Sequence, residues 1–113
     1  SDPALGRALR EIHADVAATW TVEKLARAAG MSRAVFAERF SRTVGMPPMR
    51  YLLEWRIALA KELLCDTEYS VARVATTVGY GSASAFTAAF IRHTGCSPGE
   101  FARQEPVSDG IAL

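Results

Sequence analysis

The sequence predicts an all-α fold. Apolar residues recur at helical spacing almost throughout, and no alternating β-branched run lies between turn clusters. A third observation organises the prediction: one pattern of residues is written twice. Val22, Leu25, Ala26, Ala29, Gly30, Met31, Ser32, Phe36, Phe40, Gly45, Pro48 and Tyr51 return as Val71, Val74, Ala75, Val78, Gly79, Tyr80, Ser82, Phe86, Phe90, Gly95, Pro98 and Phe101. The offset is 49 residues up to Tyr80 and 50 from Ser82 onward, so the copies differ by one inserted residue, Gly81, in the turn. A match that spans packing, turn and capping positions together marks an internal repeat of one supersecondary unit.

The elements follow in order. Asp2 before Pro3 is a helix start, and Leu5, Leu9, Ile12 and Val16 line one face of a first helix that ends before Trp20. Thr21 caps a short second helix carrying Val22, Leu25, Ala26 and Ala29. It stops at Gly30, which adopts positive φ at no Cβ cost. Ser32 caps a third helix that turns Phe36, Phe40 and Val44 inward. After Gly45 the Met46-Pro47-Pro48 run cannot continue a helix, but proline fits the first turn of a new one. The long helix that follows, from about Pro48 to Cys65, carries Leu52, Trp55, Ile57, Leu59 and Leu63 in two apolar stripes and therefore has two neighbours. Its roughly 18 residues extend about 27 Å and can hold the two copies a fixed distance apart.

Asp66-Thr67-Glu68-Tyr69 is a connection and Ser70 caps the second copy. Gly79-Tyr80-Gly81-Ser82 makes its turn, and Phe86, Phe90 and His93 run along the next helix. Ser97-Pro98-Gly99-Glu100 reads as a capping box ahead of a short last helix with Phe101 and Ala102. The folded domain is expected over residues 1–103, with subdomains at about 1–46 and 67–103 and a linker helix at about 47–66. Residues 104–113 hold Pro106, Ser108, Asp109 and Gly110 with no helical period and are expected to form a flexible tail.

Composition narrows the function classes. With 113 residues, 50% of them hydrophobic, the chain can build one compact domain or two small subdomains that share an element. No stretch reaches the roughly 18 apolar residues of a membrane span, and the amino end lacks the basic and apolar regions of a secretory signal. A soluble, cytoplasmic protein is expected. Cys65 and Cys96 stand far apart without paired-cysteine spacing and read as buried thiols. His13 and His93 have no cysteine or carboxylate at ligand spacing, so neither a metal nor a cofactor is expected, and no catalytic constellation is present.

The net charge of +1 does not by itself indicate nucleic acid. The distribution says more, because Arg33, Arg39, Arg42, Arg50 and Arg56 cluster through the first copy and its sequel, interleaved with Glu38, Glu54 and Glu62. Arg56, among Leu52, Leu59 and Ala60, is expected to pair with a carboxylate inside the domain. Trp20, Trp55, Met31, Met46 and Tyr51 read as core, not as a platform for stacked bases.

Each copy has the layout of a short helix, a glycine turn and a second helix, the helix-turn-helix that sends its second helix into a DNA major groove. With Phe36 and Phe40 inward, the outer face of the first such helix carries Arg33, Ala34, Ala37, Glu38 and Ser41. Arg33 can pair bidentately with guanine, Glu38 can accept from cytosine N4, and alanines can meet thymine methyls. The corresponding face of the second carries Ala83, Ser84, Thr87, Ala88 and Ile91 and is poor in long polar side chains. Exposed alanines favour base contact, since close approach to a duplex needs small residues. Arg42, Arg50, Arg92 and His93, with the capping hydroxyls of Thr21, Ser32, Ser70 and Ser82, are the phosphate candidates.

From about Thr21 to Phe101 these residues resemble the DNA-binding domain of the AraC/XylS family of bacterial transcription regulators. The terminal motif, Gly79-Tyr80 through Phe86, Phe90, Gly95, Ser97-Pro98 and Phe101, is the most specific part of the resemblance. It implies seven helices in two helix-turn-helix subdomains joined by a long helix, with two recognition helices in successive major grooves on one DNA face. It also implies a transcription regulator, usually an activator. Many members touch RNA polymerase and often carry a separate effector-binding or dimerisation domain, so the chain reads as the carboxy-terminal part of a longer, nucleoid-associated regulator. Two positions depart from the pattern: the family often places an arginine two residues after Phe36 and Phe86, where this sequence has Glu38 and Ala88. Sequence preference is therefore not carried over.

Two alternatives accompany this reading. In one, only the first motif reads DNA and the second, with its alanine-rich face, docks a protein such as RNA polymerase. In the other, the chain is a cysteine methyl-acceptor protein of the alkylation response, which needs an activated thiolate, and neither Cys65 nor Cys96 has basic neighbours in sequence.

Overall fold

Asp2 starts the first helix as its position before Pro3 requires, its Oδ1 accepting from the amides of Ala4 and Leu5 at 3.1 and 3.4 Å. In the computed structural model, residues 2–104 are described, and all their regular structure is helical. The helices are α1 (Pro3–Ala14), α2 (Val22–Ala29), α3 (Arg33–Val44), α4 (Pro48–Leu64), α5 (Val71–Val78), α6 (Ala83–Thr94) and α7 (Pro98–Arg103). The chain divides into two units within α4, between Arg56 and Ile57. Of the tail expected over 104–113, only Gln104 lies among the described residues.

The first unit is built on α1 to α3 and the first half of α4. Leu5, Ala8 and Ile12 of α1, Leu25, Ala26 and Ala29 of α2, Phe36 and Phe40 of α3 and Leu52 of α4 form one buried cluster, with Trp20, Met31, Val44, Tyr51 and Trp55 packed around it. Full burial of a Phe or Leu side chain is worth about 1.5–3 kcal/mol, so the two phenylalanines are the main anchor of α3. His13 secures α1 to α4: its Nε2 is hydrogen-bonded to the Tyr51 hydroxyl at 2.7 Å, and its ring lies 4.4 Å from that of Trp55.

The first helix is shorter than its apolar spacing predicts. It ends at Ala14, and Val16 lies beyond it, half-buried in a turn. The carbonyls that would continue the helix are taken by other donors. The Asp15 carbonyl accepts from Trp20 Nε1 at 2.8 Å and from the Ala18 amide at 3.2 Å. Arg56 donates from Nε and Nη2 to the Val16 carbonyl at 3.1 and 2.9 Å and from Nη2 to the Ala18 carbonyl at 3.0 Å. Arg56 does turn inward; these backbone carbonyls are the acceptors that sequence periodicity could not reveal.

In the second unit Ile57, Ala60 and Leu64 of α4, Val74, Ala75 and Val78 of α5, Phe86, Ala89 and Phe90 of α6, and Pro98 are buried. Within α4 the buried positions of this half are thus Ile57, Ala60 and Leu64, whereas Leu59 and Leu63 are half-buried. The capping box at α7 is complete: the Glu100 amide donates to Ser97 Oγ at 3.0 Å and the Ser97 amide donates to Glu100 Oε1 at 2.8 Å.

The sequence repeat is repeated in atoms. The Met31 amide donates to the Ala26 carbonyl at 2.9 Å, and the Tyr80 amide to the Ala75 carbonyl at 2.9 Å. Gly30 and Gly79, at φ 71° and 105°, make these turns possible. Ring centroids of Phe36 and Phe40 are 5.5 Å apart and those of Phe86 and Phe90 5.6 Å. Edge-on contacts of Phe40 with Tyr51 at 5.7 Å and of Phe90 with Phe101 at 5.6 Å close the two copies in the same way.

The cysteines correct an expectation. Cys65 is exposed and Cys96 half-buried, because Cys65 follows the last residue of α4 and Cys96 lies in the turn before α7. Neither sits on an apolar helix face.

Candidate nucleic-acid interface

The two helices that could enter a groove are presented by the same device. Ser32 caps α3 by accepting from the Val35 amide at 3.3 Å, and Ser82 caps α6 by accepting from the Ala85 amide at 3.0 Å. The helices before them are capped alike, Thr21 Oγ1 accepting from the Lys24 amide at 3.1 Å and Ser70 Oγ from the Arg73 amide at 3.0 Å. All four hydroxyls retain a hydrogen to donate, so a phosphate oxygen near these helix starts can be held without breaking the cap. In the second copy α5 and α6 are bent by 84° at the turn, close to the angle of DNA-binding helix-turn-helix motifs.

On α3, Arg33, Ala34 and Glu38 are exposed and Ala37 and Ser41 half-buried. Val35 is also 47% exposed, a large apolar side chain near the helix start that the Phe36/Phe40 spacing does not single out. On α6, Ala83, Ser84 and Ala88 are exposed, Thr87 is half-buried and Ile91 is 44% exposed. These five side chains line one continuous surface depression. The base-reading candidates of each copy therefore share one face.

Charge on the first copy is arranged differently from its sequence appearance. Arg33 Nε pairs with Glu23 Oε2 of α2 at 2.8 Å, a partner that sequence spacing did not indicate. Arg42 pairs with Glu38 at 2.8 Å and Arg50 with Glu54 at 3.2 Å, both one helical turn apart. Arg39 lies toward the inner side and pairs with Asp2. The arginine cluster is thus a set of ion pairs. The pairs on the outer face are exposed and worth about 0–1 kcal/mol each, so a phosphate or a base edge can displace the carboxylate at small cost. Arg92 and His93 are exposed in the last turn of α6.

Two carboxyls lie below their ordinary range. Asp2 is lowered first by its hydrogen bond from Arg39 and further by the amides of Leu5 and Ala4. Glu100 is lowered first by the Ser97 amide it accepts from. Burial raises the Tyr51 phenol. None of the three belongs to the outward faces of α3 or α6. Among the described residues no group of three His, Cys, Asp or Glu side chains is assembled that could hold a metal, and no single helix is long and apolar enough to cross a membrane.

Comparison with known proteins agrees with this geometry. Residues 25–104 match the profile of a helix-turn-helix domain. The chain is 44% identical over 107 residues to an AraC-like transcription regulator of Streptomyces antibioticus, covering 95% of this chain and 35% of that protein. It is 38% identical over 99 residues to RclR, an RCS-specific HTH-type transcriptional activator of Escherichia coli (strain K12), covering 88% of this chain and 35% of the activator. The chain spans about a third of the length of the curated relatives it matches. Among solved structures, the DNA-binding domain of the global transcriptional factor AdpA, in complex with a target DNA, is similar with a TM-score of 0.83 and 34% identity, covering 90% of this chain and 91% of that one. The C-terminal domain of AraT, a response regulator from Geobacillus stearothermophilus, gives a TM-score of 0.86 with 27% identity over 95% of this chain and 89% of that one. The seven helices of the described residues, the duplicated glycine turns and these similarities lead to one conclusion: the chain belongs to the AraC-type helix-turn-helix family of DNA-binding transcription regulators.

Proposed function

We propose that this chain is the operator-reading part of a transcription activator and that α3 and α6 enter successive major grooves of one duplex. The observation that carries the reading is the atomic duplication of the motif. Two helices with equivalent caps, glycine turns and paired phenylalanines each turn small residues outward, with Ala34 of α3 and Ala83, Ser84 and Ala88 of α6 exposed. On α3, Arg33 and Glu38 supply hydrogen bonds to base edges, while Ala34 and Ala37 allow close approach. On α6, Ala83, Ser84, Thr87 and Ala88 read mainly by apolar contact. Thr21, Ser32, Arg42, Arg50, Ser70, Ser82, Arg92 and His93 hold phosphates. In this reading the partners are duplex DNA, RNA polymerase at the promoter, and an effector-binding or dimerisation domain outside this chain. The site of action is the nucleoid in the bacterial cytoplasm, and the role is recognition, not catalysis.

Selection of binding sites from random duplex DNA tests this, with affinities of the enriched sequence repeated across a salt series. Two preferred blocks about one helical turn apart are expected. A single block would leave α6 without base contacts and restore protein docking by the second motif. No enrichment at all would overturn sequence-specific reading by this chain.

A further inference from the structure

Up to Arg56 the chain has nine Lys and Arg residues against six Asp and Glu, and beyond it four against six, so the first unit holds the positive excess. The ion pairs locate that excess. Arg33, Arg39, Arg42 and Arg50 each face a carboxylate, and Arg56 is bonded to backbone carbonyls inside the unit. The four cations left are Arg7, Arg10, Lys24 and Arg27, and all four line one groove between α1 and α2. None of the four is ion-paired among the described residues.

The groove is not a uniform cationic track. Glu11 also lines it, and its wall includes the methyl groups of Ala14 and Ala28. Arg7 is steadied at one end by the carbonyls of Ala28 and Ala29, at 3.5 and 3.4 Å from its Nε and Nη2, and Lys24 Nζ donates to the Thr19 carbonyl at 2.8 Å. Arg10 and Arg27 are exposed, and their side chains make no hydrogen bond among the described residues. From Arg7 to Ala14 the groove follows about 10 Å of helix, the length of about three residues of extended peptide.

We infer that this groove is a docking site for a short acidic segment of a partner protein, in which apolar side chains alternate with carboxylates. Carboxylates answer the basic rim, and apolar side chains answer the alanines. A sugar-phosphate backbone would offer nothing to those methyl groups, and Glu11 confines the carboxylates of a bound segment to the side of the groove lined by arginine and lysine. The groove also lies on the α1 side of α2, whereas the Glu23–Arg33 pair binds α2 to the reading helix. The inference stands apart from the proposed DNA reading and can hold or fail without it.

The test is fluorescence anisotropy with a labelled peptide, Asp-Leu-Asp-Glu-Leu-Asp, against the 113-residue chain. A counterpart with Asn and Gln in place of the acids is the control. Arg10→Glu and Arg27→Glu are each expected to weaken peptide binding by about tenfold or more. Arg103→Glu changes net charge equally, outside the groove, and is expected to leave binding within about twofold. Arg10→Gln and Arg27→Gln should shift it in the same direction as the reversals, which guards against a variant that fails to fold. Affinity for a selected operator duplex should be unchanged in the groove variants. Absence of peptide binding, equal loss for Arg27→Glu and Arg103→Glu, or a tenfold loss of duplex affinity in the groove variants would each overturn the proposal, the last by making the groove part of a phosphate track.

Discussion

Glu23 of α2 holds Arg33 of α3: the Arg33 Nε donates to Glu23 Oε2 at 2.8 Å across the Gly30 turn, with 64% of the arginine side chain exposed. The arginine proposed as chief base reader is thus tethered through Nε while most of its side chain stays exposed. Arg33→Ala is expected to weaken operator binding by about 1–3 kcal/mol and to relax preference at one base pair, if the contact is bidentate. Glu23→Ala is expected to leave stability within about 0.5 kcal/mol, since the pair is exposed, and to steepen the salt dependence of DNA binding by about one unit. Competition binding against a panel of single-base operator variants reads the first, and urea denaturation with operator affinity across a salt series reads the second. Equal losses on every sequence for Arg33→Ala would remove it from the base readers.

On α6 the prediction concerns methyl groups. Ala83, Ala88 and Ile91 offer apolar surface and no donors, so thymine is the base whose major-groove edge fits them. Replacing a contacted thymidine by deoxyuridine, which removes only the C5 methyl, is expected to cost about 0.8 kcal/mol, or about fourfold in affinity. Duplexes substituted one thymidine at a time show whether any position in the second block responds. By contrast, Arg92→Ala should weaken all sequences alike and reduce the salt slope by about one.

The turns make a stability prediction. Gly30 has φ 71°, and a Cβ there would meet only Arg7 Nη2, at 3.9 Å, so Gly30→Ala is opposed by backbone strain and not by crowding. A loss of about 1–2 kcal/mol is expected from the left-handed conformation. Gly81, the inserted residue of the second turn, leaves open space around the place a Cβ would occupy, with nothing within 4 Å, and is not among the positive-φ glycines. Gly81→Ala should be neutral or stabilising by up to about 1 kcal/mol, through the reduced entropy of the unfolded chain. Urea denaturation of the two variants distinguishes them.

Acid stability should depend on Asp2. Because the Arg39 hydrogen bond lowers its folded-state pKa, the unfolded chain binds more protons once pH drops toward the ordinary carboxylate value of about 4. The stabilisation is complete above that value and is lost as pH falls through the lowered folded pKa. Asp2→Asn is expected to lower stability at neutral pH and to flatten the fall below about pH 4. Glu100→Gln should do the same through the Ser97 amide, in the other unit. Denaturation curves from neutral to strongly acidic pH check both, and an Asp2→Asn protein with an unaltered acid limb would contradict this assignment.

Local chemistry was legible in the sequence because it acts over a few residues. Thr21, Ser32, Ser70 and Ser82 are found as caps where their hydroxyls stand ahead of apolar runs, and Gly30 and Gly79 end their helices in the left-handed region. The inward set was legible for the same reason, down to the two phenylalanine pairs. Relations between distant residues were not. The Arg42–Glu38 and Arg50–Glu54 pairs follow helical spacing, but Asp2 meets Arg39, Glu23 meets Arg33 and Arg56 meets the carbonyls of Val16 and Ala18 only once the chain has folded, so neither these partners nor the early end of α1 could be read from spacing. Residue type favours burial of cysteine, yet position decides it, for Cys65 falls just past a helix end. The α1–α2 groove assembles cations from two helices whose alignment no linear pattern records.

The phenylalanine pairs grip each reading helix from behind, and the outward residues take no share in that grip. Under the proposed reading, substitutions at Ala34, Glu38, Ser84 or Ala88 change which bases are preferred while the cores stay as they are. Since each unit has its own pair, the two halves of a recognised site can diverge independently. If both helices read bases as proposed, a duplicated scaffold of this kind lets new operator specificities arise by single mutations, without a folding defect to be compensated elsewhere.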